Sequence, residues 1–121
     1  MKKKTKILLV DDEPTVRECL QYFLEEKFIV FTAASAEEAL PMIKEHTPDV
    51  MLLDINLPQM NGISLLKIIR QFNKTIKVII VSGVYVDFQN DPQLKALDIR
   101  GFLHKPISIV ELEDAIKKAL S

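Results

Sequence analysis

The sequence contains one cysteine, Cys19, and only two histidines, His46 and His104, which are not at ligand spacing. An internal disulfide is therefore excluded, and so is a metal centre built on thiolates or imidazoles. No apolar run approaches the roughly 18 residues that a membrane-spanning helix needs. The Lys2–Lys4 run is followed by an apolar stretch that stops at Val10, too soon for a signal peptide, and reads as a solvated tail. Charge of one sign is lacking too. Sixteen Lys and Arg against seventeen Asp and Glu leave a net charge of -1, which offers no field for nucleic acid or an anionic membrane. No direct nucleic-acid or membrane partner is expected. The lone cysteine suits a reducing, cytoplasmic setting, and its helical spacing with Val16, Leu20 and Phe23 predicts a packing role. No histidine lies near it in sequence to activate it as a nucleophile.

What is present is enough apolar material for one core. With 121 residues, 48% of them hydrophobic, the chain reads as a single domain over residues 1–121 that buries roughly two thirds of its unfolded surface. Short β-rich runs alternate regularly with amphipathic helical patterns. The predicted strands are Lys6 to Val10, Phe28 to Ala33, Val50 to Asp54, Ile76 to Ser82 and Gly101 to Leu103. Stretches such as ILLV and VIIV are continuously apolar, as strands covered on both faces should be. Ser35 with Glu38 and Ser108 with Glu111 are capping boxes that open the second and fifth helices. Ile109, Leu112, Ile116 and Leu120 form the apolar stripe of the last helix, while Glu113 with Lys117 and Asp114 with Lys118 pair on its wet side. Pro41 falls inside the second helix and predicts a kink or irregular first turns. Asp91 followed by Pro92 predicts a short fourth helix that starts late.

Five strands alternating with five helices imply an α/β doubly wound fold, a parallel sheet with helices on both faces and right-handed crossovers. Ligands of such sheets sit beyond the carboxyl ends of the strands, where strand order reverses. Asp11 and Asp12 follow the first strand, Asp54 ends the third, Ser82 ends the fourth and Lys105 follows the fifth. Taken singly each has a bland explanation: a helix cap, turn chemistry or a solvated lysine. Their joint placement on one rim points to a site. Three carboxylates less one ammonium leave two negative charges, which matches a divalent cation. An all-oxygen donor set selects a hard ion, and Mg2+ needs only one or two carboxylates plus waters and a phosphoryl oxygen. Lys105 and the Ser82 hydroxyl suit the remaining oxygens of a phosphate.

ILLVDDEP from Ile7 to Pro14, DINLPQMNG from Asp54 to Gly62, VSG at the end of the fourth strand and GFLHKP from Gly101 to Pro106 together resemble the response-regulator receiver domains of two-component signal transduction, from about Lys6 to the end of the chain. The resemblance implies a flavodoxin-like (βα)5 sheet of order 2-1-3-4-5. It implies that Asp54 accepts a phosphoryl group from the phosphohistidine of a histidine kinase or histidine phosphotransfer protein, and that an output protein or domain receives the signal. Asp12 would then bind Mg2+ directly and Asp11 through water, with Asp54 and the backbone carbonyl of Asn56 completing the metal shell. Ser82 and Lys105 would contact the phosphoryl oxygens. The Lys105–Pro106 bond stands where such domains carry a cis peptide that aims the lysine inward, and Pro58 and Gly62 would shape the loop behind Asp54, Gly62 by its freedom in the turn. Ser82 would move toward the phosphoryl group and vacate space that Phe102 fills, although plain strand packing is an equal reading of Phe102. Val84 and Asn56 would tune the acylphosphate lifetime.

The chain departs from the pattern between Ser82 and Gly101. Gly83 replaces the more usual alanine, and Val84, Tyr85, Val86 and Phe88 read as an irregular loop that tucks apolar groups under the rim, with an exposed partner patch as the alternative. Two other functions remain open. An aspartate-nucleophile phosphatase of the haloacid dehalogenase type would use DDEPT from Asp11, but Glu13 stands where a second Asp is wanted, no late acidic pair follows the fourth strand, and there is no cap region. An interaction module of the same fold that has lost phosphorylation is disfavoured by the full set of Asp11, Asp12, Asp54, Ser82 and Lys105. A stand-alone regulator and a piece of a larger one fit the sequence equally.

Overall fold

Apolar runs without polar interruption become central strands here because alternate residues serve opposite faces of a sheet. In the computed structural model, which describes residues 3–85, 87 and 89–121, Ile7 and Leu9 join one buried cluster while Leu8 and Val10 join the other. Val50 and Leu52 part from Met51 and Leu53 in the same way, as do Ile79 and Val81 from Val78 and Ile80. The elements run β1 (Lys6–Val10), α1 (Pro14–Leu24), β2 (Ile29–Ala33), α2 (Ala36–His46), β3 (Val50–Asp54), α3 (Gly62–Phe72), β4 (Lys77–Ser82), α4 (Pro92–Lys95), β5 (Ile99–His104) and α5 (Ile109–Leu120). All strands pair in parallel in the order β2-β1-β3-β4-β5. Helices α1 and α5 cover one face of the sheet, and α2 and α3 cover the other. The fold is therefore the expected flavodoxin-like doubly wound sandwich. Among the described residues, no helix is long and apolar enough to cross a membrane.

Most helix starts follow the predicted chemistry. The Ser35 hydroxyl accepts from Glu38 N–H at 3.2 Å, and the Glu38 carboxylate reaches back to Ala34 N–H at 3.1 Å, one residue before the cap itself. Ser108 caps α5 through Glu111 N–H at 3.3 Å. Asp91 caps the single turn of α4 through Gln93 N–H at 2.9 Å, with Pro92 at its first position. Helix α2 runs without interruption through Pro41, in place of the expected kink or irregular first turns; the proline is exposed and removes only its own N–H from the helix's bonds. On α5, Asp114 pairs with Lys118 at 3.0 Å as expected, but Glu113 turns instead to Lys27 in the α1–β2 connection at 3.3 Å.

The structure corrects the reading of α1. Its buried line is Leu20 and Leu24, with Val16 partly buried, whereas Cys19 and Phe23 are exposed. Cys19 and Phe23 form the neighbouring i,i+4 line, one helical step round from the sheet. A second correction concerns the segment after β4. Residues 83–85 are irregular as predicted, yet Val84 and Tyr85 point outward at 67% and 71% exposure and are not tucked beneath the rim. Val86 and Phe88, part of the same expectation, lie outside the described residues.

Candidate functional site

Strand order reverses at β1, whose chain neighbour β2 lies on one side while β3 lies on the other. The crevice opened there is flanked by the residues that follow Val10 and by Asp54, the last residue of β3. Asp11 and Asp54 are buried at 5% and 3% exposure, while Asp12 is exposed. One carboxylate oxygen from each of the three lies within 4.8 Å of the others. Two oxygens bound directly to Mg2+ at about 2.0–2.1 Å stand no more than about 4.2 Å apart, and an oxygen bridged by water stands farther away. A spread of up to 4.8 Å therefore suits a hard divalent ion with both direct and water-bridged ligands.

Lys105 is the counter-charge. Its ammonium donates to Asp54 Oδ2 at 2.9 Å, and it stands 3.1 Å from Asp11 Oδ2 and 3.5 Å from Glu13 Oε1. The lysine is delivered by β5, whose register sets Ser82 opposite His104, and its own backbone N–H donates to the Ser82 carbonyl at 2.9 Å. The Lys105–Pro106 peptide is cis, as expected.

The second oxygen of each buried carboxylate accepts a backbone N–H. Asp54 Oδ1 accepts from Asn56 N–H at 3.0 Å, and Asp11 Oδ1 accepts from Glu13 N–H at 2.9 Å. Burial pushes the Asp54 carboxyl above its ordinary range; the hydrogen bonds from Lys105 and Asn56 oppose this, and the nearby charge of Asp11 adds to it. For Lys105, burial pulls downward, but the hydrogen bonds to Asp54 and Asp11 outweigh it and hold the ammonium well above its ordinary range. One ammonium thus serves the carboxylates of Asp11, Asp54 and Glu13, with Asp12 beside them, and a cluster with more acids than cations has room for another cation.

Ser82 is buried at the end of β4, and its hydroxyl accepts Val84 N–H at 3.0 Å, which leaves its own proton for an acceptor. Phe102 packs half-buried against the α2–α3 side of the core, and the exposed Tyr85 ring meets it edge-on at 5.9 Å. Gly62 earns its place by space and not by a positive φ. A Cβ there would stand 2.6 Å from the Asp54 carbonyl oxygen, and the left-handed residue of the loop is Gln59.

A family model described as the response regulator receiver domain matches residues 7–117. The chain belongs to that family. Sporulation initiation phosphotransferase F of Bacillus subtilis (strain 168) is 36% identical to this receiver domain over 116 residues, covering 95% of the chain and 93% of that relative. The alkaline phosphatase synthesis transcriptional regulatory protein PhoP of the same organism is 34% identical over 116 residues, but there the match covers only 48% of the relative. The solved structure of a CheY-like response regulator receiver domain protein from Methanospirillum hungatei JF-1 superposes with a TM-score of 0.87 at 30% identity, covering 98% of this chain and 94% of that one. A receiver domain can thus be nearly all of a relative or half of one.

Sequence reasoning placed Asp11, Asp12, Asp54 and Lys105 in one cluster, and the structure brings them together. It missed two contributors. Glu13 adds a fourth carboxylate to the cluster and a third within reach of Lys105. Arg17 donates to the Asp11 carbonyl at 2.7 Å. The available signal was Arg17's position four residues after Glu13, one helical turn above the acidic loop. Asn61, which caps α3 through Ser64 N–H at 2.8 Å, was also passed over.

Proposed function

We propose that this protein is a phosphorelay receiver in which Asp54 accepts a phosphoryl group from the phosphohistidine of a histidine kinase or histidine phosphotransfer protein. The observation that carries this reading is the Lys105 ammonium bridging buried Asp54 and Asp11 within a three-carboxylate cluster. Mg2+ would be held by Asp11, Asp12, Asp54 and the Asn56 carbonyl, and when bound it supplies charge neutralisation for the incoming phosphate.

The chain's own groups do the rest. Asn56 N–H and the Lys105 ammonium each take one oxygen of Asp54, so the carboxylate is fixed in rotation before a donor arrives. In the transfer, the phosphorus–nitrogen bond of the donor breaks, a phosphorus–oxygen bond to Asp54 forms, and the leaving imidazole takes a proton. Lys105 then exchanges its carboxylate partner for a phosphoryl oxygen, and Ser82 donates its hydroxyl proton to another. Movement of Ser82 draws on Val84 through the 3.0 Å bond, and so on the segment whose Tyr85 rests against Phe102. Ser82 and Phe102 form the switch, which works by preferring one of two packings and passes the signal to an output protein or domain. Phe102 has no phenol, so its own output contact is made by shape. The protein is a cytoplasmic signalling receiver that catalyses only its own phosphoryl transfer and autodephosphorylation.

Incubation with acetyl phosphate and Mg2+, followed by intact-mass measurement, tests the assignment. One phosphoryl group should be added to wild type and none to Asp54→Asn or in the presence of chelator. Steady turnover abolished by Asp11→Asn would instead mean a phosphatase, and neither adduct nor turnover would mean an interaction module.

A further inference from the structure

Arg17 is a cation beside the acidic cluster whose hydrogen bond goes to a backbone carbonyl and not to a carboxylate. At 2.7 Å, Nη1 to Asp11 O is the shortest side-chain hydrogen bond among the described residues. It is charge-assisted, and half-buried Arg17 lines with Asp11 and Asp54 a small cavity of about 10 Å³ whose other walls are apolar.

The bonded atom is what matters. The Asp11 carbonyl and the Asp12 N–H belong to one planar peptide unit. Fixing the carbonyl therefore fixes ψ of Asp11, one of the two rotations that relate the Asp11 side chain to the Asp12 side chain. Asp11 is otherwise held on its upstream side and by its carboxylate: its N–H donates to Ala33 O at 3.1 Å, Oδ1 accepts from Glu13 N–H, and Oδ2 meets Lys105. Of these, the Glu13 bond spans the peptide that leads on to Asp12 but leaves its carbonyl unbonded, and Arg17 supplies the bond to that carbonyl. Arg17 is itself anchored in the first turn of α1, its N–H donating to Glu13 O at 3.1 Å.

We infer that Arg17 is a positioning residue for the divalent-cation pocket: by holding the Asp11 carbonyl, it orients the peptide that presents Asp12 to the ion beside Asp11 and Asp54. The inference rests on the proposed Mg2+ role of these acids. It separates from a general electrostatic role by sign. Removing a nearby positive charge strengthens cation binding by Coulomb's law, whereas loosening an outer support of metal ligands weakens it by about 10–100-fold.

The experiment is calorimetric Mg2+ titration of the full chain for wild type, Arg17→Met, Arg17→Lys and Asp12→Ala, with amide NMR spectra to verify the fold. Wild type should bind Mg2+ at a site that Asp12→Ala removes. Arg17→Met should bind it about tenfold more weakly, with amide shifts concentrated at Asp11 and Asp12. If Arg17→Met does not fold, Arg17→Lys is judged by the same criterion, since a lysine keeps the charge but not the guanidinium geometry. An affinity in the folded variant equal to wild type or tighter overturns the inference, including the case in which only urea stability falls. Absence of an Asp12-dependent Mg2+ site in wild type would overturn the proposed function itself, a result distinct from an Arg17 variant that matches a binding wild type.

Discussion

Replacing Gly62 by alanine perturbs the backbone of Asp54 directly. The added Cβ would lie 2.6 Å from the Asp54 carbonyl oxygen and 2.9 Å from Ile55 Cα, and side chains do not tolerate such approaches below 3.0 Å. Either α3 or the Asp54–Ile55 peptide must retreat by at least 0.4 Å, the difference between 3.0 and 2.6 Å. Neither can do so freely. Both clashing atoms are backbone, and the Gly62 N–H is tied to Ile55 O at 2.7 Å, so the start of α3 is fastened to the segment it would need to leave. Overpacking of this kind costs about 1–3 kcal/mol. Alanine's helix preference returns about 0.5–1 kcal/mol at most, and less at the first position of a helix. The net loss should be about 1–2 kcal/mol, which in a chain of this size lowers Tm by roughly 4–10 °C. The phosphorylation rate should fall further than stability implies, since Asp54 is displaced within a site where misplacement by about 1 Å costs about 100-fold. Urea unfolding and acetyl phosphate labelling, followed by intact mass, measure both. A Gly62→Ala protein with the wild-type urea midpoint and labelling rate would refute the reasoning.

Asp54 has a raised carboxyl pKa, so its contribution to stability is present below the ordinary value of 3.8 and is lost as pH rises through the folded value. In Mg2+-free buffer, wild type should lose stability relative to Asp54→Asn as pH rises above the ordinary carboxylate value; a gap in urea midpoints that stays flat or runs the other way contradicts this. Lys105→Met leaves buried Asp11 and Asp54 without their cation and should destabilise the fold by about 3–5 kcal/mol at neutral pH. Because the Lys105 pKa is raised, the part of stability it supplies persists below about pH 10.4 and is lost above it, so the two proteins' urea midpoints should converge in strong alkali. Asn61→Ala removes the cap of α3 and should cost about 1 kcal/mol in urea unfolding; an unchanged midpoint would mean that solvent caps the helix as well.

The strands and the acidic rim were legible because they depend on local pattern. Continuous apolar runs of four residues, such as Val50–Leu53 ahead of Asp54, can be buried on both faces only in a covered sheet. Caps at Ser35, Asp91 and Ser108 are equally local, since each side chain bonds a backbone N–H two or three residues ahead. The misreadings arose where two adjacent faces compete. On α1 the lines Val16–Leu20–Leu24 and Cys19–Phe23 are both apolar at helical spacing, and only the docking angle on the sheet decides which is buried. Glu113 likewise had Lys117 at helical spacing and Lys27 at 3.3 Å across the chain, and only the fold reveals the second. Strand ends were the other soft spot: β5 extends over Ile99–His104, beyond the predicted Gly101–Leu103, because pairing with β4 continues through partly buried Ile99 and the exposed Arg100 and His104, the latter two carrying no apolar signal of a strand.

Composition and order along the chain thus determined the fold class, the absence of an internal disulfide, and the identity of the acids and the lysine at the strand ends. Tertiary structure alone decided that Lys105 bonds Asp54 and meets Asp11, that Glu13 and Arg17 join the cluster, and that Gly62 is required for room beneath the Asp54 carbonyl and not for turn freedom. The division has one cause. Patterning acts between neighbours in sequence, whereas charge compensation and close approach act through distances between residues as far apart as Asp54 and Lys105, and those distances exist only once the sheet is assembled.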